Sequence, residues 1–116
     1  MLYTTFTVKD REYKARINAK ACVELEKKLG TNPLNIFISM AEGDGLNLPS
    51  LGTILTILHA SLQAYEHKIT MDDIYNLYDE FVAEGHTLMD LIPVVVDIYK
   101  VSGLIPDEVE IETKNA

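Results

Sequence analysis

The chain contains 116 residues, of which 47% are hydrophobic and 24% are charged, a composition typical of one globular domain. Its net charge of −8 argues against general nucleic-acid binding, because such binding needs a basic surface that neutralises phosphates. No signal peptide is visible, and the longest apolar segment, LGTILTILHASLQAY, is shorter than the roughly 20 residues of a membrane span.

The first 18 residues have the alternating pattern of a β-hairpin. The polar connection KDRE joins the two arms, and it lacks the Asn-Gly or Asp-Gly pair of the tightest turns, so the pattern leaves the register open. The alternating positions are Leu2, Thr4, Phe6 and Val8 in the first arm and Tyr13, Ala15 and Ile17 in the second.

Charge is distributed unevenly along the chain. Residues 1–20 contain five basic and two acidic side chains, a net of +3, whereas the remaining residues carry a net of −11. This polarity could steer partners or let copies of the chain stack head to tail, and a solvated hairpin that is merely basic explains it equally well.

The next two segments have the start and stop signals of helices. Asn18 and Gly30 bound the first, and Asn32 and Gly43 bound the second, each with an N-cap residue at its start and glycine at its end. The glycine-rich segment 42–50 predicts a loop. The predicted apolar stripe of the second helix comprises Leu34, Phe37, Ile38 and Ala41.

A longer helix is predicted over residues 50–65. Its apolar positions recur at spacings of three and four and form a wide stripe, so we expect this helix to be central and covered on more than one side. The stripe consists of Leu51, Ile54, Leu55, Ile57, Leu58, Leu62 and Tyr65.

The segment ITMDDIYNLYDEF, residues 69–81, predicts an amphipathic helix that ends at Gly85. Thr70 and Asp73 have the spacing of a capping box. One side of the predicted helix is apolar, with Ile74, Leu77, Tyr78, Phe81 and Val82, and the other side carries Asp72, Asn76, Asp79, Glu80 and Ala83.

The last predicted helix runs from Thr87 to Ser102, and Pro93 within it predicts a kink or a later start. The acidic tail 107–116 is expected to be disordered, with one edge strand through Val109 and Ile111 as the alternative. Together the pattern predicts a mainly helical α+β domain over residues 1–106, with four to five helices and an N-terminal β-hairpin over residues 1–18.

Side chains capable of chemistry are few. Asp72 and Asp79 share a helical face and could hold a divalent ion weakly, although acids on the outer face of a helix need no further explanation. None of the three histidines belongs to a zinc-binding motif, and the sequence contains neither a nucleophile elbow nor a phosphate-binding loop. We therefore expect no catalytic, metal or cofactor site. Four other side chains are weighed for metal binding or catalysis: His59, His67, His86 and Cys22. We interpret His59 and Cys22 as packing residues and His67 and His86 as surface residues.

The order and content of these segments resemble the tail assembly chaperones of long-tailed phages and prophages, particularly those of Gram-positive hosts. The resembling features are a Leu-Glu-x-x-Leu-Gly helix end at 25–30, a Leu-rich helix at 51–65, the acidic amphipathic helix at 69–85, and a Ser-Gly helix end at 101–103. The resemblance covers residues 2–105. The hairpin departs from the family pattern because it has Asp10-Arg11 where an Asn-Gly-like turn is expected.

The resemblance implies a noncatalytic protein that binds the tape measure protein and helps recruit tail tube subunits. It implies action in the host cytoplasm during assembly and absence from the mature virion. Many members of that family also exist in a longer, frameshifted form, which would place residues 107–116 near the junction. The resemblance identifies no individual partner-binding residue.

Two alternatives stand beside this expectation, and only the second belongs to a different class of protein. One is a structural phage morphogenesis or head–tail connector protein that stays in the virion. The other is a small enzyme or metal-dependent regulator that uses Asp72, Asp79 and a histidine. Partners expected under the leading hypothesis are the tape measure and tail tube proteins, with no nucleic acid and no membrane, and the chain could also self-associate.

Overall fold

The computed structural model describes residues 2–42 and 48–108, and of residues 41 and 42 it describes the backbone. A two-stranded antiparallel hairpin precedes five helices, so the predicted α+β class is confirmed. A 3-10 turn at Leu88–Asp90 leads directly into the last helix. The elements are β1 (Thr4–Val8), β2 (Arg11–Ala15), α1 (Ala19–Leu29), α2 (Pro33–Glu42), α3 (Leu51–Leu62), α4 (Met71–Ala83) and α5 (Leu91–Val101).

The hairpin turn consists of only two residues, Lys9 and Asp10. Both have positive φ, 51° and 64°, which is the conformation that a two-residue type I′ connection needs at both central positions. The resulting register pairs Phe6 with Tyr13 and Val8 with Arg11. The chain therefore forms the tight turn without the usual glycine.

Helix α3 is the centre of the fold, as the sequence predicts. It packs against α1, α4, α5 and β2, and most of its residues from Ile54 to Leu62 are buried, including His59 and Ser61. Phe6 and Val8 of β1 are also buried, which joins the inner face of the hairpin to the helical core.

Helix α4 has the predicted capping box, and its apolar face follows the prediction except at Val82, which is 44% exposed. The Thr70 hydroxyl oxygen accepts a hydrogen bond from the Asp73 N–H at 3.1 Å, and the Asp73 carboxylate accepts one from the Thr70 N–H at 2.9 Å. Its inner face buries Ile74, Leu77 and Phe81. The Phe81 ring centroid lies 5.4 Å from that of Phe6, so α4 packs directly on the hairpin.

Pro93 predicts either a kink in the last helix or a start later than Thr87. The later start is the one observed. After the 3-10 turn, α5 starts at Leu91, which places Pro93 in its first turn. A residue there has no N–H partner within the helix, so proline costs no hydrogen bond. The Asp90 carboxylate accepts from the Thr87 N–H at 2.8 Å and supports the turn.

Two predictions about helix faces and ends are wrong. Helix α3 ends at Leu62 rather than Tyr65, and the side chain of Tyr65 is 39% exposed. In α2 the buried side chains are Pro33 and Met40, whereas Ile38 of the predicted stripe is 47% exposed. Residues 43–47 of the predicted loop and residues 109–116 of the predicted tail lie outside the described residues. No described helix is long and apolar enough to cross a bilayer.

Candidate functional site

The two aspartates considered as metal ligands lie on the solvent side of α4. Asp72 and Asp79 are both exposed, and neither makes a hydrogen bond or ion pair within residues 2–42 and 48–108. Across the same residues, no group of three or more His, Cys, Asp or Glu side chains is positioned to hold a metal ion. Of the other acids of this helix, Asp73 caps its N-terminus and Glu80 pairs with Lys9 of the hairpin.

The three histidines have separate environments. His59 is buried, and its Nε2 lies 2.9 Å from the carbonyl oxygen of Ile69. Because a carbonyl only accepts, His59 donates from Nε2 and joins α3 to the segment before α4. The exposed His86 stacks on the Phe81 ring at 4.4 Å between centroids, with its Nδ1 3.6 Å from the Asp90 carboxylate. His67 is exposed in the connection between α3 and α4.

Cys22 lies partly buried on α1 against the core. Burial, and secondarily the negative charge of Glu26, raise the pKa of the Cys22 thiol. A reactive cysteine needs the opposite change, because the thiolate is the nucleophile. The interpretation of Cys22 as a packing residue agrees with this environment.

An open cleft lies between β2 and α4, with a volume of about 640 Å³. We call it the hairpin–α4 cleft. Its apolar lining comes from Tyr13 of β2, Ile69 of the α3–α4 connection and Leu77 of α4. Asn76 of α4 lines the same cleft and is exposed. The cleft therefore combines an apolar lining with an accessible helical edge.

Charged side chains from the hairpin and the helical body pair around this cleft. Arg11 of β2 forms an ion pair with Glu66, and its guanidinium lies 4.4 Å from the centroid of the Tyr13 ring. The ammonium of Lys9 lies 3.3 Å from the Glu80 carboxylate, and the Lys9 N–H donates to Glu84 at 3.0 Å. These contacts hold the tip of the hairpin against α4 and the α3–α4 connection.

The ion pairs of Lys9 and Arg11 change how much basic charge the N-terminal segment offers to a partner. Lys9 and Arg11 contact acids of the same molecule, so their charge is largely neutralised within the fold. Lys14 and Arg16 make no ion pair with a carboxylate in the described part of the chain. Lys20 at the start of α1 is likewise exposed and makes no ion pair there, so the unpaired basic charge of this segment lies at the base of the hairpin and the start of α1.

Sequence reasoning missed the cleft because its walls are far apart in the chain. Arg11 and Glu66, which both line the cleft, are separated by 55 residues. The only signal for the cleft in the sequence is the opposite net charge of the hairpin and the rest of the chain. This difference predicts that the two attract each other, but it does not identify which residues form pairs.

Sequence comparison assigns the chain to a family. A family model described as a family of unknown function, DUF6096, matches residues 3–116. The chain belongs to DUF6096. No curated protein and no solved structure matches it. The DUF6096 match includes the hairpin, all five helices and every residue of the hairpin–α4 cleft.

Proposed function

We propose that this protein is a noncatalytic tail assembly chaperone of a long-tailed phage or prophage. In this role it binds the tape measure protein in the host cytoplasm, helps recruit tail tube subunits to it, and leaves before the virion is complete. The proposal draws on the resemblance of the segments at 25–30, 51–65, 69–85 and 101–103 to that class of protein.

The observation that carries the proposal is the hairpin–α4 cleft. Amphipathic helices commonly bind by inserting apolar side chains into a groove while their polar residues meet its rim. The cleft offers an apolar lining at Tyr13, Ile69 and Leu77 and charged side chains at Arg11 and Glu66. Its volume of about 640 Å³ accommodates several side chains of such a helix.

Exposed apolar side chains elsewhere support binding to proteins. Val23 of α1 is 52% exposed, Ile38 of α2 is 47% exposed and Tyr75 of α4 is 49% exposed. Scattered exposed apolar residues are normal on a monomer, so these residues add to the argument without carrying it.

Co-purification tests this function directly. The full chain, carrying an affinity tag, is co-expressed with the tape measure protein of the same phage or prophage. We expect the tape measure protein to stay soluble and to co-purify, and to aggregate when expressed alone. A tape measure protein that neither binds the chain nor gains solubility from it contradicts the proposal.

The alternative of a structural protein retained in the particle makes a different prediction. Mass spectrometry of purified virions should detect no peptide of this chain if it is a chaperone. Detection at a fixed ratio to the tail tube protein would instead support a connector or other structural role.

A further inference from the structure

The outer edge of β1, which lies opposite its edge with β2, carries unpaired backbone groups. Val8 and Arg11 face each other across the two-residue turn and close the ladder as a hydrogen-bonded pair. Because successive residues of a strand direct their N–H and C=O groups to opposite edges, Phe6 is directed to β2, whereas Thr5 and Thr7 are directed outward. Within residues 2–42 and 48–108, neither threonine makes a backbone–backbone hydrogen bond to another element. An edge of this kind is a template for a further strand.

The sequence of β1 leaves this edge unprotected. Exposed edge strands usually contain proline or a charged residue that prevents further pairing. β1 has the sequence TTFTV, with neither, and four of its five residues are β-branched, which favours a strand. Both outward residues, Thr5 and Thr7, are exposed. One extended segment can therefore form hydrogen bonds with the N–H and the C=O groups of both threonines.

A cleft of about 590 Å³ follows this edge, and we call it the β1-edge groove. Residues of β1 and of the turn line one side of it, and none of its described lining residues belongs to β2, so it lies on the outward side of β1. It shares no lining residue with the hairpin–α4 cleft, so both sites can be occupied in one molecule. The helical body lines the other side with Phe81, Glu84, His86, Asp90 and Val94.

The groove is apolar along its floor and acidic at the tip of the hairpin. The Phe81 ring and the half-buried Val94 provide apolar surface. Asp10 and Glu84 line the tip end, where the Glu84 carboxylate accepts from the Lys9 N–H at 3.0 Å. The Lys9 ammonium is already in an ion pair, and Asp10 pairs with no cation in the part of the chain that the structure describes. A lysine or arginine of a bound segment would be attracted to this end.

The charge of the groove argues against the C-terminal segment of the same chain as its occupant. Residues 107–116 contain four acids and one lysine, a net of −3. The groove is itself lined by three acids and one lysine. Because like charges repel, a basic segment fits the groove better than this acidic one.

We propose that the β1-edge groove binds an extended, basic segment of another protein, which adds a third strand to the hairpin. The segment pairs its backbone with Thr5 and Thr7, lays apolar side chains on Phe81 and Val94, and places a lysine or arginine beside Glu84. Backbone pairing supplies affinity, and the apolar floor and the acids supply specificity. This site takes a strand and shares no residue with the cleft for a helix, so it does not depend on the proposed chaperone function.

A synthetic peptide tests the proposal. It alternates valine and threonine over a length that matches the five residues of β1, and it has a lysine at each end. Titrated into the isotopically labelled full chain, it should bind with a Kd below about 1 mM and shift the amide resonances of Thr5 and Thr7 in NMR spectra. No binding, or binding that leaves these two resonances unchanged, overturns the proposal.

Methylated and acidic forms of the peptide separate backbone pairing from charge. Methylation of every central amide nitrogen keeps the side chains and the charge and removes the backbone donors, so binding should weaken at least about tenfold. Glutamate in place of both lysines should weaken it by a similar factor. Equal binding by the methylated peptide contradicts strand addition, and equal binding by the acidic peptide contradicts a basic partner. Both comparisons use the unmodified chain, so neither depends on the folding of a variant.

Proline variants test which edge of the hairpin pairs with the peptide. Thr7→Pro removes an outward N–H of β1 that takes no part in the ladder, and it should weaken binding at least about fivefold. Glu12→Pro is the matched control, because Glu12 lies opposite Thr7 and directs its N–H to the outer edge of β2. Its affinity should stay within about twofold of the original. Equal losses in two variants with native circular dichroism spectra contradict pairing at β1.

A second pair of variants tests the acidic end of the groove. Asp10→Asn/Glu84→Gln should weaken peptide binding at least about threefold. Asp72→Asn/Asp79→Asn makes the same change in net charge at exposed positions on α4 outside the groove, and it should have a smaller effect. Equal effects would mean that net charge alone attracts the peptide and would overturn the assignment of the acidic end.

Sedimentation velocity of the chain alone tests a second copy as the occupant. We expect no dimer that the peptide dissociates. A dimer that the peptide dissociates, and that Thr7→Pro abolishes, would show that β1 pairs with another copy of the chain and would overturn the proposal.

Discussion

The hydroxyl of Tyr99 donates a hydrogen bond to the backbone carbonyl of Pro33 at 2.8 Å, joining α5 to the first residue of α2. Tyr99 is fully buried, and 66 residues separate the two partners. The bond lets a tyrosine occupy the core, because a buried hydroxyl without a partner is costly. It also fixes the start of α2, where the side chains between Pro33 and Met40 are half-buried or exposed.

The first prediction concerns this hydrogen bond. Tyr99→Phe keeps the ring in the core and removes the hydrogen bond from its hydroxyl to the Pro33 carbonyl, so the free energy of unfolding should fall by about 1 kcal/mol. Urea denaturation followed by circular dichroism measures the change. A variant as stable as the unmodified chain would show that the bond contributes no net stability.

The second prediction concerns alkaline pH. Burial, and secondarily the charge of Cys22, raise the pKa of Tyr99 above its ordinary value of about 10. The folded state then holds a proton that the unfolded state releases, so stability present below about pH 10 is lost as pH rises further. The slope from this one group is at most about 1.4 kcal/mol per pH unit.

Comparison with Tyr99→Phe isolates this contribution. Cys22, whose pKa is also raised, acts in the same direction and is unchanged in the variant. Denaturation at a series of pH values between 8 and about 11 should therefore give a shallower decline for Tyr99→Phe. Equal slopes for the two proteins would exclude Tyr99 as a source of the alkaline loss.

The third prediction concerns the start of α4. Thr70→Ala removes the hydroxyl that accepts from the Asp73 N–H, and it should destabilise the protein by about 1 kcal/mol. Asp79→Asn on the outer face of the same helix is the matched control and should change stability by less than about 0.5 kcal/mol. Thermal or urea denaturation distinguishes the two. Equal effects would mean that the cap contributes no more than a surface residue.

The fourth prediction concerns Cys22. Because its pKa is raised, less thiolate is present near pH 8 than in an unfolded chain, and partial burial further limits access. Alkylation by iodoacetamide, followed by mass spectrometry, should be at least about tenfold slower in the native protein than in urea. A native rate equal to the rate in urea would show that Cys22 is accessible and ionised.

Local signals in the sequence predict most elements correctly. The caps at Asn18 and Thr70 depend on residues three positions apart, and the amphipathic pattern of α4 repeats within one helix, so both can be read from neighbouring residues. The two-residue turn at Lys9 and Asp10 escapes prediction, since no turn motif marks it and its stabilising contacts come from Glu80 and Glu84.

Features that depend on distant residues were predicted less well. The face of α2 is rotated from the predicted stripe, and its first residue is held by Tyr99 from the other end of the fold. The hairpin–α4 cleft depends on an ion pair between residues 55 positions apart in the chain. The charge polarity of the sequence does not predict which residues form that pair. The candidate site is thus a product of tertiary structure, whereas the absence of a recognisable catalytic motif was visible in the sequence.

The central claim is that the hairpin–α4 cleft binds helical segments of the tape measure protein. Asn76→Arg places a bulky charged side chain in the cleft at an exposed position. Ala83→Arg introduces the same residue at an exposed position on α4 that does not line the cleft. Both variants should keep the native circular dichroism spectrum, so a difference between them reports on the cleft.

Isothermal titration calorimetry of the full chain against tape measure fragments is the most direct measurement of this claim. We expect saturable binding by the unmodified chain, a Kd at least about tenfold higher for Asn76→Arg, and a Kd within about twofold of the original for Ala83→Arg. Equal affinities for the two variants would contradict the role of the cleft, and no binding by the unmodified chain to any fragment would contradict the function itself.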